Sequence, residues 1–390
     1  MLPHSEQFKK SLLSPIKELW IKIELYDSQM NFIESIEKQV SNSDVGNVSV
    51  DKSRPIIRNF SFSLVNKNNE FTWGENNKIW IDKRVKVLTG LKLKNSTVEY
   101  IQQGVFILKE LTTSSTPQGN LTSISGQDKT YLFTDKRGKL VNEYIIEEGV
   151  NVATAIKLLA QSEGETLFLF DEVTETVPYE LTYNGSDNKW NVMQDLANFA
   201  KCEIYYDVNG YLRLKKISDL NDIQNEAAVW TFTKGDMFYA GNVRKMDETN
   251  LYNDFFALGG GTETQMVSHR LTVTESNPIF ADSPYSIEKI GRITYIHNDG
   301  NADPLLITQD DCLFRNKWEL MRKLGYAERI SMSIAPMFIL DVSDIIQIDD
   351  SENGTTGRYM IEKFDIPLKP QLVNVECSKE RRIVTDWNFM

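Results

Sequence analysis

The chain has 390 residues, 41% of them hydrophobic and 25% charged, with a formal net charge of −12. That length exceeds one ordinary core and predicts two or three domains, while the average charge content excludes a chain dominated by disorder. The acid excess excludes a grip on nucleic acid, because phosphate contacts need clustered Lys and Arg; nucleic acid could still pass without sticking.

Residues 1 to 18 read as a loose arm or a short helix. Trp20-Ile21-Lys22-Ile23-Glu24-Leu25-Tyr26 alternates as a half-buried strand does, and Phe32-Ile33-Glu34-Ser35-Ile36 follows a short break. Residues 41–51 form a polar loop leading into Val48-Ser49-Val50. Further strands are expected at 57–64, at 84–91 after Ile79-Trp80-Ile81, at 100–108 and at 120–128, with a turn at Asn66-Lys67-Asn68-Asn69. Many short strands separated by turn signals point to a sandwich or barrel.

From about 130 the period changes. Val152, Ala155, Ile156 and Leu159 recur at helical spacing, and Asp187 or Asn188 can cap a second helix carrying Val192, Met193, Leu196, Phe199 and Ala200. The Asn209-Gly210 step between 204–207 and 211–214 signals a hairpin. Strands return at 229–232, 254–258, 271–274 and 292–296.

One long helix is expected at about 307–325, within an excursion at about 304–327. Thr308 and Asp311 have capping-box spacing, and the acids favour the positive end of the helix. Leu313, Leu320 and Leu324 share a face that Phe314, Trp318 and Met321 widen; Arg315, Asn316, Glu319 and Lys323 lie opposite, and Gly325 sits at the C-terminal cap position. Arg329-Ile330-Ser331-Met332-Ser333-Ile334 is a strand ended by Pro336, with others at 345–348, 359–364 and 373–377. The expected class is mainly β with an α+β insertion: a first β domain at 1–130, an inserted α+β domain at 131–228 and a second β domain at 229–390.

Chemistry leaves little trace. His4, His269 and His297 stand at no metal-binding spacing, and Cys202, Cys312 and Cys377 suggest neither a disulfide framework nor a metal cluster. Gly259-Gly260-Gly261 is followed by turn and strand rather than a helix and lacks a Lys, so it reads as a hairpin tip or edge contact rather than a phosphate cradle. The pairs Asp171 and Glu172, Asp310 and Asp311, and Asp349 and Asp350 read as turns and caps. No nucleophile elbow or His-paired Cys or Ser is visible, so no catalytic residue, metal or cofactor is expected. Trp73, Trp80, Tyr205, Tyr206 and Trp387 read as core or subunit contacts. No apolar run reaches the roughly 20 residues of a membrane span, and no apolar signal core opens the chain, so synthesis in the cytosol is expected.

Three stretches carry a family resemblance: 58–66 with 79–90; 104–108 with 124–128 ahead of a helical insert; and the long helix with 329–334 and 340–346. In this order the chain resembles the baseplate hub, or tail hub, proteins of phage tails and phage-tail-like particles. The resemblance covers about 20–377. It implies two tube-protein-like β-barrel or sandwich domains per chain, so that a homotrimer closes a pseudo-sixfold ring. It also implies tail-tube or distal tail proteins on one side, a central spike or tail lysin on the other, and a lumen through which DNA passes unbound. The implied location is the virion's distal tail, after synthesis in the host bacterial cytoplasm. An acidic lumen would repel the DNA backbone. Exposed strand edges could pair between chains and close the ring. Ile383, Trp387 and Phe389 near the C-terminus are candidate anchors for docking on a neighbour; a frayed terminus is the alternative. A carbohydrate- or receptor-binding module would instead need a concave aromatic site, and a wall-degrading enzyme would need convergent carboxylates or a metal.

Overall fold

In this computed structural model of the protein, the residues described are 1–40, 45–117, 119–185, 187–216, 226–246, 248, 251–262, 265–324 and 328–379. Helix α1 (Glu6–Leu12) is capped by Ser5 and buries Phe8 and Leu12. Strands β1 (Leu19–Tyr26), β2 (Phe32–Gln39), β3 (Gly46–Asp51), β4 (Arg58–Val65), β5 (Arg84–Lys92), β6 (Val98–Thr116) and β7 (Gly119–Asp128) follow. The insert holds β8 (Tyr144–Ile146), α2 (Val152–Gln161), β9 (Phe168–Phe170), β10 (Leu181–Tyr183), α3 (Lys189–Phe199), β11 (Cys202–Tyr206) and β12 (Leu212–Lys216). The remainder is β13 (Trp230–Thr233), β14 (Tyr239–Met246), β15 (Asp254–Thr262), β16 (Gln265–Thr272), α4 (Ile287–Ile290), β17 (Thr294–Ile296), α5 (Gln309–Leu324), β18 (Glu328–Ile334), β19 (Ile345–Asp350), β20 (Thr355–Pro367) and β21 (Val373–Lys379). The chain is mainly β, as expected.

Thirteen strands form one sheet whose main path runs β14-β18-β21-β20-β3-β4-β7-β6-β5-β1-β2. Of the barrel or sandwich modules expected, no closed barrel occurs among the described residues. The two β-rich ends of the chain are joined directly, because β20 pairs with β3 from Lys363↔Asp51 to Pro367↔Asn47. They also share one core, in which Phe60, Phe62 and Ile124 belong to the same cluster as Ile330, Met332 and Val375. Such pairing between distant stretches leaves no local periodic signal.

The insert has its own core around Ile156, Trp190, Leu196 and Leu212. Asn151 caps α2 by accepting the Thr154 N–H at 3.1 Å, and Asn188 caps α3 by accepting the Asn191 N–H at 2.9 Å. The turn between β11 and β12 places Gly210 at φ +80°, with Val105 of β6 where a side chain would begin.

Helix α5 starts as expected. Asp311 accepts from the Thr308 N–H at 2.9 Å, and Thr308 Oγ1 accepts from the Asp311 N–H at 3.1 Å. Three of the residues placed opposite its apolar face, Arg315, Asn316 and Glu319, are buried. The helix packs on β15 and β16, where Asn316 Nδ2 donates to His269 O at 2.9 Å. On its other flank the Lys201 ammonium of the insert stands 4.7 Å from the centre of the Phe314 ring. Asp310 and Arg322 stay exposed, so the helix is amphipathic with a wider buried face than the apolar residues alone mark. Gly325 lies outside the described residues. Strand β14 had no alternating signature and was missed, while Ile79 makes only an isolated bridge to Trp73.

Candidate partner and channel surfaces

The path from β14 to β6 is a run of eight strands, each antiparallel to the next. One face of this run buries Phe60, Phe62, Val48, Ile124, Val375 and Ile330. Strand alternation then sends Asn59, Ser61, Ser63, Asn47, Ser49, Ser123, Ser125, Gln127, Asn374, Ser331 and Ser333 to the other face. These short polar side chains bond across the strands. Ser61 Oγ donates to Asn47 Oδ1 at 2.8 Å, the Ser63 and Ser123 hydroxyls are 2.9 Å apart, Gln127 Nε2 donates to Asn59 Oδ1 at 3.0 Å, and Ser333 Oγ donates to Asn374 Oδ1 at 3.0 Å. The charges on this face are mixed, and Lys363 pairs with Glu376 at 3.2 Å. The acid excess of the chain is therefore not gathered here. Its sequence signal was the Ser-x-Ser spacing in three separate strands, 61 and 63, 123 and 125, and 331 and 333.

Both ends of this run are open among the described residues. Strand β14 pairs only with β18. Strand β6 leaves β5 after Ile107 and continues to Thr116 paired only with β7. On that extension Leu111 and Thr113 stand opposite Ile124 and Thr122 of β7. Ile124 and Thr122 are buried, whereas Thr113 and the next residue in that row, Ser115, are exposed. The core-facing row of the hairpin thus reaches the edge uncovered. The insert follows the Asp128 end of β7, and the segment holding α5 joins the Met246 end of β14 to the Glu328 end of β18. Antiparallel alternation places both at the same end of the sheet.

Buried polar ties fix these units. Arg58, 3% exposed, reaches Asp341 at 2.5 Å and Gln103 O at 3.3 Å, and Gln103 Nε2 donates to Phe338 O at 3.0 Å. These bonds lock the N-terminal strands to the segment before β19. In the helical unit, the buried Asp254 carboxylate accepts Arg270 Nε at 2.9 Å, Thr272 Oγ1 at 2.7 Å and Thr294 Oγ1 at 2.8 Å, with Arg292 at 3.2 Å, so one side chain ties three strands. Burial alone would raise its pKa, but the bonds from Arg270, Thr272 and Thr294 hold it well below the usual carboxylate range. Its contribution is complete above the ordinary pKa of about 3.9 and is lost as pH falls through the depressed value. Asp254→Asn keeps the shape but removes the charge. It is expected to destabilise this unit by about 2 kcal/mol, read as faster amide exchange in β15 and β16 with the large sheet unchanged.

The residues singled out for chemistry do structural work. Asp171 accepts the Lys216 N–H at 3.0 Å, Asp311 caps α5, and Asp350 accepts the Tyr239 hydroxyl at 2.9 Å. His297 Nε2 lies 2.8 Å from Asp303 Oδ2, and His4 Nδ1 lies 2.9 Å from Leu2 O. The glycine run makes a close edge contact: a side chain at Gly259 would begin 2.2 Å from Leu306 O, and the Gly260 N–H donates to Asp303 O at 2.8 Å. Cys202, Cys312 and Cys377 are buried and unpaired. Among the described residues no group of three or more His, Cys, Asp or Glu could hold a metal ion, and no helix is long and apolar enough to cross a membrane. Ile383, Trp387 and Phe389 lie outside the described residues.

No family model matches the sequence, and no curated protein matches it. Solved structures do. A tail protein from Neisseria meningitidis MC58 superposes with a TM-score of 0.65 at 10% identity, over 94% of this chain and 98% of that one. The tail protein of prophage MuSo2 from Shewanella oneidensis gives 0.59 at 9% identity, over 93% and 99%. A chain of the Francisella PdpA–VgrG complex gives 0.56 at 12% identity, over 96% of this chain and 54% of that one. The chain has the fold of these phage tail proteins.

Proposed function

We propose that this protein is a structural hub at the distal end of a phage or phage-like tail, in which three copies close into a pseudo-sixfold ring. The observation that carries the reading is the antiparallel eight-strand run in which, among the described residues, β14 ladders only with β18 and the β6 extension only with β7. In an even antiparallel run the end strands point opposite ways. The β14 edge of one copy can therefore meet the β6 extension of the next without breaking the alternation, and repeated pairing covers both of these edges. On this reading residues 1–130 and 229–390 are the two β modules and 131–228 the inserted unit. The Ser- and Asn-rich face lines the channel. That lining is neutral rather than acidic, so DNA passes because nothing grips its phosphates rather than because the wall repels it.

The partners proposed are tail-tube or distal tail proteins on one side and a central spike on the other, with the virion tail as the location. A structural rather than catalytic role is supported by carboxylates such as Asp254, Asp311 and Asp350 being engaged in holding strands and caps. The test is the copy number at the tail tip. Electron microscopy of isolated tips, combined with native mass measurement, is expected to give three copies around the axis; any other number overturns the ring.

A further inference from the structure

The polar face changes character at the end of the sheet remote from the insert. There Val65 of β4 stands opposite Leu121 of β7, and the two are 59% and 38% exposed. Val45, whose carbonyl accepts the Ser63 N–H, is 64% exposed, and Leu372, just before β21, is 51% exposed. An open groove of about 410 Å³ lies between Val45 and Leu372, with Pro367, Asp365 and Lys369 on its walls. Alternation along β4, β7 and β21 puts this aliphatic band on the same side as the serines and asparagines. Clustered exposed aliphatic side chains mark an interaction site.

The size of the band decides what kind of partner fits. Four side chains and one groove fall far below the roughly 800 Å² per partner that a specific interface buries. One band therefore cannot hold a second copy side by side. In the ring proposed above, on which this inference rests, three bands face the axis together at one mouth. There they can sum on a single partner.

We propose that the band seats an axial polypeptide bearing aliphatic side chains, which enters the mouth remote from the insert and touches all three copies. The test places a benzoylphenylalanine photo-cross-linker at position 65, and separately at 372, in assembled tail particles. The expected result is an adduct from both positions to the same chain, one other than this protein, identified by peptide mass. Adducts only to another copy of this chain, or none, overturn the proposal. A second variant combines Val45→Ser, Val65→Ser and Leu372→Ser, all at exposed positions. It is expected to keep the three-copy species while occupancy of the cross-linked chain falls at least tenfold; unchanged occupancy overturns the proposal. Failure of the ring reading is seen separately, as absence of a three-copy species in the unaltered particle.

Discussion

Lys129→Met is expected to destabilise the junction between the sheet and the insert by about 3–5 kcal/mol, the usual cost of leaving one partner of a buried ion pair alone. Lys129 follows β7, and its ammonium bonds Glu165 Oε1 at 2.7 Å and Gly210 O at 3.0 Å. Glu165 also accepts the Tyr206 hydroxyl at 2.7 Å and the N–H groups of Thr166 and Leu167, each at 2.9 Å. Lys129, Glu165 and Tyr206 are 6%, 3% and 2% exposed, so water cannot replace a lost partner. Burial lowers the Lys129 pKa against the pull of Glu165, and burial raises that of Tyr206 well above its usual value. The tyrosine therefore stays protonated past pH 10, where an unfolded tyrosine ionises. The folded state then holds the extra proton, and stability falls as pH rises beyond about 10. For a chain of this size the Met variant is expected to lower the melting midpoint by about 5 °C. The double variant Lys129→Met, Glu165→Gln is expected to recover part of the loss because no charge is stranded. Calorimetry, with limited proteolysis of the insert, reads both.

That junction also marks where sequence reading stops. The alternation of 58–64 and 329–334, the Asn188 cap, the Asn209-Gly210 turn and the Thr308–Asp311 box were legible because each is encoded within a few residues. Lys129 and Glu165 gave no such signal, since they meet only after the insert folds back on β6. The β3–β20 pairing that merges the two modules is equally non-local. The buried flank of α5 misled for a related reason: its polar residues Arg315, Asn316 and Glu319 are buried, Asn316 against His269 of β16, and helical periodicity cannot reveal such partners. Of the candidate surface, the Ser-x-Ser spacing was present in the sequence. Its meaning depended on three strands lying side by side.

Thr113→Lys with Ser115→Lys is expected to abolish the three-copy ring while leaving the single chain folded. Both residues lie on the β6 extension and are exposed, and each has β7 on one side and, among the described residues, no strand on the other. Exposed substitutions of this kind change stability by about 0.5 kcal/mol or less, so the melting midpoint and the far-ultraviolet circular dichroism should stay unchanged. In the ring, the same row would continue beneath a neighbour's β14, and two ammonium groups would lose water without gaining partners. A penalty of about 3 kcal/mol per interface weakens each contact more than a hundredfold, and a closed ring pays it three times. The placement of the charges matters. Lysines on the alternate residues, Thr112 and Ser114, would point to the open face and should leave assembly intact. Mass photometry of the two double variants at equal concentration separates the cases. Loss of the three-copy species only with the 113 and 115 pair identifies the edge as the closing contact. Equal assembly of both variants would show that the ring closes elsewhere.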